Sequence, residues 1–155
     1  MLRIATWIGG LFGAALVFIS IGSQDTPASD TVVVYKTPSC GCCTAWVDHL
    51  RANEFIVTVE ELPDLESLKT RLGVPSDLES CHTATVGGYV VEGHVPVSDI
   101  RRLLAEKPAA KGIAAPGMPV GSPGMERGEE HAPYQVIQFG DDGRSVFATH
   151  GYFAR

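Results

Sequence analysis

Three of the chain's four cysteines lie in one short segment, Thr37-Pro38-Ser39-Cys40-Gly41-Cys42-Cys43. Cys40 and Cys43 have the Cys-x-x-Cys spacing, so both side chains can face the same side at the start of a helix. A helix N-terminus carries partial positive charge and free N–H groups, which lower the pKa of nearby thiols. The thiolate form attacks disulfides and binds metals. The third thiol, Cys42, is of more use to a metal site than to a redox pair.

The fourth cysteine, Cys81, is followed directly by His82, which places a thiol beside an imidazole. Soft thiolate ligands favour Cu(I), whereas a structural zinc site usually takes its thiols from two well-separated pairs. Three thiols within one turn would strain a tetrahedral site for a single ion and are better placed to bridge several copper ions. We therefore expect the four cysteines and His82 to bind copper.

Further ligands are available downstream of these residues. His94 lies in Glu92-Gly93-His94-Val95-Pro96, directly after a predicted hairpin, and can reach the same end of the sheet. Met118 and Met125 are the only methionines after the initiator, and their thioethers could add ligands or a lid to a copper site. The alternative is that both are exposed or packing residues of a flexible loop.

The remaining three histidines are expected to lie outside the site. His49 lies two turns along the predicted helix from Cys42, which is too far for one site and typical of a solvated surface residue. His131 and His150 fall in a loop and in the C-terminal tail.

A buried strand and a helix are predicted to position the first three cysteines. The run Thr31-Val32-Val33-Val34-Tyr35 is continuously β-branched before its closing aromatic, which is typical of a central strand buried on both faces. Pro38 ends that strand, and Ser39 or Cys40 caps a helix that reaches about Asn53. The buried face of this helix is predicted to consist of Cys43, Trp46, Val47 and Leu50.

The downstream elements alternate between strands and helices up to residue 107. They are a strand over 55–60, a short helix capped by Asp64 and ended by Gly73, strands over 83–86 and 89–92 joined across Gly87-Gly88, and a helix over about 98–107. A loop rich in Gly, Pro and Met is predicted for about 108–133, followed by a hairpin with strands over 134–139 and 144–148.

The resulting order, β-α-β-α-β-β-α, makes this an α/β protein and resembles the thioredoxin fold over roughly residues 31–107. In thioredoxin-like proteins the segment before the third strand holds a cis-proline and packs against the Cys-x-x-Cys pair. Cys81 and His82 occupy that position in this chain. The resemblance therefore implies that they lie close to Cys40 and Cys43.

Four segments in order resemble the CopG-type copper-resistance family over about residues 31–150. They are Thr37 to Cys43, Ser80 to Thr83, Glu92 to Pro96 and the loop from Met118 to Met125. The resemblance implies a periplasmic thioredoxin-like protein that binds a multinuclear copper cluster through Cys40, Cys42, Cys43, Cys81 and a histidine. It also implies a part in copper resistance by interconverting Cu(I) and Cu(II). Copper ions and other periplasmic copper-handling proteins are the expected partners.

The N-terminus is typical of an export signal. Arg3 precedes an apolar run from Ile4 to Ile21, and the small residues around Ile21 fit cleavage after Gly22. If residues 1–22 are retained they form a membrane anchor, because the run is only slightly shorter than the roughly 20 residues of a spanning helix. Residues 23–30 are then a linker, and residues 31–150 are a metal-binding domain outside the cytoplasm.

The size and charge of the chain narrow its function further. A chain of 155 residues suits one domain with an ordinary core. The formal net charge is −6, without a basic cluster, which argues against a nucleic-acid partner.

Two other functions are open from the residues alone. A thiol-disulfide oxidoreductase would use Cys40 and Cys43 and would tolerate the loss of Cys42 or His82. A structural zinc domain would hold one tightly bound zinc ion per chain and would unfold when a chelator removes it.

Overall fold

The computed structural model describes residues 31–151, which form seven strands and three α-helices. The strands are β1 (Thr31–Lys36), β2 (Ile56–Glu61), β3 (His82–Val86), β4 (Tyr89–Gly93), β5 (Gly112–Ala115), β6 (Tyr134–Gly140) and β7 (Gly143–His150). The helices are α1 (Gly41–Ala52), α2 (Glu66–Leu72) and α3 (Val97–Glu106), and a 3-10 turn covers Ser76–Leu78.

All seven strands belong to one mixed sheet in the order β2-β1-β3-β4-β5-β6-β7. β1 is parallel to β2 and antiparallel to β3, and β3 is antiparallel to β4. This arrangement of the first four strands agrees with the predicted thioredoxin-like order. β5 then adds parallel to β4, and the antiparallel hairpin of β6 and β7 extends the sheet. The α/β class predicted from the sequence is confirmed.

The main hydrophobic core lies between the central strands and helices α1 and α3. Val32 and Val34 of β1 are fully buried, as the continuous β-branched run predicts. The predicted buried face of α1 is confirmed as Cys43, Trp46, Val47 and Leu50. Burying a large apolar side chain contributes about 1.5–3 kcal/mol, so this face is what fixes α1, and with it the cysteines at its start, on the sheet.

One predicted boundary is wrong, because the loop expected over 108–133 contains strand β5. The four residues Gly112–Ala115 are all buried between β4 and β6. Their composition of glycine and alanine has little β-propensity, so tertiary pairing decides the conformation. A side chain at Gly112 would collide with the backbone of Val90 on β4. The loop itself therefore covers only residues 116–133.

The sheet brings four chain segments to the same end. The cysteine segment follows the C-terminus of β1, and Cys81 precedes the N-terminus of β3, which runs antiparallel to β1. His94 follows the C-terminus of β4, and the 116–133 loop follows the parallel strand β5. All of the candidate ligands thus lie at the same end of the strands.

The predicted export segment over 1–22 and the linker over 23–30 lie outside the described residues. Among residues 31–151, no helix is both long enough and apolar enough to cross a membrane.

Candidate metal centre

The cysteine segment forms the capped first turn of α1. Cys40 is the N-cap, and its Sγ accepts a hydrogen bond from the backbone N–H of Cys43 at 3.3 Å. Cys40 and Cys43 are joined as a disulfide in this structure. The thiol of Cys42 is free, and its Sγ lies 3.5 Å from that of Cys40. The predicted Cys-x-x-Cys pair is therefore a disulfide, and the free thiol of Cys42 lies next to it.

Cys81 lies where the thioredoxin resemblance predicts it. Its free thiol is 3.9 Å from the Sγ of Cys42, and its carbonyl oxygen is 3.5 Å from the Sγ of Cys43. The ligand atoms of Cys40, Cys42, Cys43 and Cys81 all lie within 4.8 Å of one another. Cys81, which lies 38 residues or more from the other three cysteines in sequence, thus forms one sulfur cluster with them.

His94 contacts the same sulfur from the other side. Its Nε2 is 3.0 Å from the Sγ of Cys81, while its Nδ1 is 2.8 Å from the carbonyl oxygen of Pro123. A carbonyl oxygen only accepts, so Nδ1 carries the proton and donates it to Pro123. The lone pair of Nε2 then points at Cys81. In metal sites, a histidine commonly donates one ring N–H to a carbonyl oxygen in this way, which leaves the other nitrogen free to bind the metal.

His82 is enclosed between two rings. Its centroid lies 4.4 Å from that of Trp46 and 4.8 Å from that of His94, and its Nδ1 is 3.4 Å from the Sγ of Cys81. The side chain is fully buried, yet Nε2 has no hydrogen-bond partner among residues 31–151. An unpaired buried polar atom is costly unless something else satisfies it, and a metal ion would do so.

Cys81, His82 and His94 form a second group whose ligand atoms lie within 4.8 Å of one another. Cys81 is the one residue shared with the sulfur cluster. Thiolates and neutral imidazoles are the donors that suit Cu(I) and Zn(II), so the donor set fits the predicted copper. The two groups joined at Cys81 are named the Cys/His cluster below.

Burial governs the protonation of this cluster. Burial, together with the neighbouring Cys42, raises the pKa of the Cys81 thiol to about 12. Burial lowers the pKa of His94 and, further, that of His82, where His94 and Lys69 add to the effect. In the metal-free protein at neutral pH, Cys81 is therefore a thiol and both imidazoles are neutral.

The 116–133 loop covers the cluster and is attached to the rest of the fold at two points. Near its start the Ser80 hydroxyl donates to the carbonyl of Gly117. Near its middle Gly124, with φ +82°, lies so close to α1 that a Cβ would be 2.8 Å from the Trp46 nitrogen and 2.9 Å from the Cys42 oxygen. The loop is thus tied to the segments on either side of the cysteines.

The two methionines belong to this loop but differ in exposure. Met118 is 55% exposed, whereas Met125 is half-buried, and its carbonyl accepts the N–H of Gly121. Met118 directly follows the anchor at Gly117, and Met125 directly follows the anchor at Gly124. Their thioethers as copper ligands stay a prediction.

The other histidines lie outside the cluster, with one correction. His49 is not a solvated surface residue: it is half-buried, and its Nε2 is shielded from solvent without a partner among residues 31–151. Burial lowers its pKa, against the attraction of Glu126 in the loop above it. His131 is exposed, and His150 binds Asp99 at 2.6 Å and stacks on Tyr134.

Sequence reasoning missed the residues that hold the ligands in place. Trp46 was recognised as core, but its Nε1–H also donates to the carbonyl of Val95 at 2.9 Å, next to His94. Pro123 and Gly124 act through backbone atoms, which leave no signal beyond the Gly/Pro-rich composition. Such supporting contacts depend on the tertiary fold.

Two solved structures resemble this chain over most of its length. One, named copper resistance protein CopG (form 2), is 46% identical, covers 78% of this chain and 98% of its own, and has a TM-score of 0.75. The second, form 1 of the same protein, is 46% identical, with coverage of 77% and 96% and a TM-score of 0.74. A family model described as "Protein of unknown function, DUF411" matches residues 78–125, which include Cys81, His82 and His94. The comparison with curated proteins finds no match.

Proposed function

Because the chain belongs to the CopG family of copper resistance proteins, we propose that it binds Cu(I) ions in a multinuclear site at the Cys/His cluster. Family membership and the cluster together support a copper-related metal-binding function. The proposal adds the oxidation state, the number of ions and the ligands Cys40, Cys42, Cys43, Cys81, His82 and His94.

The observation that carries the proposal is the double membership of Cys81. Its sulfur lies within reach of the other three cysteines and of both histidines, so one thiolate can bridge ions held by either group. A bridging thiolate lets several ions share few ligands. Soft sulfur donors favour Cu(I) over the harder divalent ions.

We also propose that the cysteines exchange electrons with copper. Oxidation of the Cys40 and Cys43 thiolates to their disulfide releases two electrons, which would reduce two Cu(II) ions to Cu(I). In the reverse direction two Cu(I) ions would each give up one electron and reopen the disulfide. The disulfide present in the structure supports this as one of the two end states. It also means that full copper loading requires the reduced pair.

The direct test is an anaerobic titration of the reduced protein with Cu(I) in competition with a strong Cu(I) chelator. The expected result is more than one copper ion per chain at affinities that withstand the chelator. Protein with the Cys40–Cys43 disulfide closed is the matched control and should bind fewer ions. Complete loss of copper to the chelator in the reduced state would contradict the proposal, and a single tightly held zinc ion would favour a structural zinc domain.

A second candidate function is thiol-disulfide exchange, favoured by the closed Cys40–Cys43 bond at the start of α1. A protein disulfide substrate would then be turned over by these two residues alone. This activity should survive Cys42→Ser and His82→Ala, whereas copper binding should be weakened by both. The two variants therefore separate the candidates.

We further propose a cellular location for the protein and a role for its two loop methionines. The apolar segment over 4–21 supports export to the periplasm, with residues 1–22 either removed or kept as an anchor. Copper ions, and other copper-handling proteins of that compartment, are the proposed partners. Met118 and Met125 are proposed to add thioether ligands or to close over the copper.

A further inference from the structure

A buried ion pair lies directly behind the Cys/His cluster. Lys69 of α2 is 4% exposed and Glu92 of β4 is fully buried, and the Lys69 ammonium contacts the Glu92 carboxylate. Lysine and glutamate are almost never fully buried in proteins unless they are paired. The cost of removing two charges from water can exceed their mutual attraction, so stability alone is a weak explanation for such a pair.

The pair is the centre of a hydrogen-bond network. Lys69 Nζ also donates to Thr83 Oγ1 at 3.0 Å, and the Thr83 hydroxyl in turn donates to Glu92 Oε2 at 2.7 Å. The backbone N–H of Ser80 donates to Glu92 Oε1 at 2.6 Å. Both carboxylate oxygens therefore have donors, as buried charges require.

The two ends of this network enclose the Cys81-His82 pair. Ser80 precedes the pair and Thr83 follows it. Glu92 accepts one hydrogen bond from Ser80 and one from Thr83. The same Ser80 holds the 116–133 loop through its hydroxyl and Gly117. The network thus fixes the backbone on both sides of two candidate ligands and connects it to the loop above them.

We propose that Lys69, Thr83 and Glu92 are positioning residues for copper, because they hold Cys81 and His82 in the orientation that faces the cysteines of α1. In thioredoxin-like proteins this segment carries a proline. Here two metal-binding side chains occupy it, and buried side-chain hydrogen bonds fix the backbone instead. This inference rests on the proposed copper binding, since it assigns a purpose to residues behind that site.

The test replaces the pair by apolar side chains of similar size, Lys69→Met with Glu92→Leu. Replacing a buried ion pair by apolar groups is often neutral or stabilising, but here the Ser80 N–H and the Thr83 hydroxyl also lose their acceptor, which destabilises the fold. The melting temperature should therefore fall moderately while the fold is retained. Copper should be held about ten- to a hundredfold more weakly, as is usual when outer contacts of metal ligands are lost. In the metal-free protein, hydrogen exchange at the amides of residues 80–83 should become about tenfold faster.

Three single variants on β3 keep the test decisive if the double variant does not fold. Thr83→Val removes the hydroxyl from the network, whereas Thr83→Ser keeps it and should restore copper affinity and slow exchange. Thr85→Val makes the same change two residues along the strand, where the hydroxyl takes no part in the network, and should change neither quantity.

The outcomes separate the two proposals. Failure of the unmodified, reduced protein to bind copper overturns the proposed function. Tight copper binding by the unmodified protein, with equal affinity and unchanged exchange in Thr83→Val, overturns the positioning network alone. Weakened binding in Thr83→Val but not in Thr83→Ser or Thr85→Val supports it.

Discussion

The two sides of the Cys/His cluster are built in different ways. On one side Cys40, Cys42 and Cys43 are neighbours in sequence, and their positions follow from one helix start and its N-cap. On the other side Cys81 and His94 are 13 residues apart and contact each other, while Glu92 of β4 binds the backbone before Cys81 and Pro123 of the loop binds His94. The first side is local and contains the Cys40–Cys43 disulfide, whereas the second is fixed by tertiary structure.

This difference suggests a division of labour for handling copper. Opening the Cys40–Cys43 disulfide would add two thiolates on the local side. Cys81 and the two histidines are held by hydrogen bonds and packing at the end of the sheet that do not involve this bond. Under the proposed function, these three ligands would retain copper while the cysteine pair exchanges electrons.

The largest effect is expected where the two sides join, at Cys81. Cys81→Ser removes the only thiolate common to both groups of ligands, and a hydroxyl is a poor ligand for Cu(I). The number of Cu(I) ions bound by the reduced protein should fall, measured by chelator competition. Cys42→Ser is the matched control on the local side and should leave the Cys81, His82 and His94 group able to bind. Equal stoichiometry in the Cys81 variant and the unmodified protein would remove Cys81 from the centre of the site.

A smaller loss is expected from His94→Gln. The glutamine fills a similar space, but its amide lacks the imidazole lone pair that faces Cys81. Because His94 is a proposed ligand, Cu(I) affinity should drop by at least the roughly ten- to hundredfold that is usual when only an outer contact of a ligand is lost. His131→Gln, an exposed change in the loop, should bind copper as the unmodified protein does. If both variants behave alike, His94 is a packing residue.

The fixed side should also make copper binding dependent on pH. The pKa of Cys81 is raised to about 12, so its thiol is protonated at neutral pH and must lose a proton to bind copper. Apparent Cu(I) affinity should therefore rise with pH, by at most about tenfold per unit for each proton released. His94, whose pKa is lowered by burial, adds no proton release there. Titration in weak buffer measures the released protons directly, and pH-independent binding would contradict thiolate coordination by Cys81.

The smallest loss of copper binding is expected from a change in the 116–133 loop, which contacts both sides of the cluster. At Gly124 a Cβ would approach the backbone of Trp46 and Cys42 to less than 3.0 Å, in a left-handed conformation that favours glycine. Gly124→Ala should lift the loop, free Pro123 from His94, and weaken copper binding by about tenfold at most. Gly128→Ala, with φ +59° and open space around it, is the matched control. Limited proteolysis within 116–133 should become faster only in the Gly124 variant.

Sequence reasoning reached the local side of the cluster and the order of the fold. The cysteine spacing, the cap at Cys40 and the buried face of α1 are short-range features, so the sequence predicts them well. The proximity of Cys81 was implied by the resemblance to the thioredoxin fold. Family resemblance was confirmed by the solved relatives.

What the sequence did not show depends on long-range pairing. β5 was predicted as loop because Gly112 and its alanines form a strand only between two other strands. The pairing of Lys69 with Glu92 was hidden because 23 residues separate them and each resembles an ordinary surface charge in the sequence. His49 was misassigned because the loop that shelters it comes more than 70 residues later in the chain.

The attachment of the 116–133 loop has a practical consequence for protein engineering. Its first half is tied to Ser80 and to α1, but residues 126–131 are exposed and make a tight turn around Gly128, in which Arg127 and Glu130 form an isolated β-bridge. Exposed loop tips are the places where chains accept inserted sequence, and each doubling of loop length costs only about 0.6 kcal/mol. A peptide tag inserted after Gly128 should therefore leave the domain folded and label the exposed tip of the 116–133 loop.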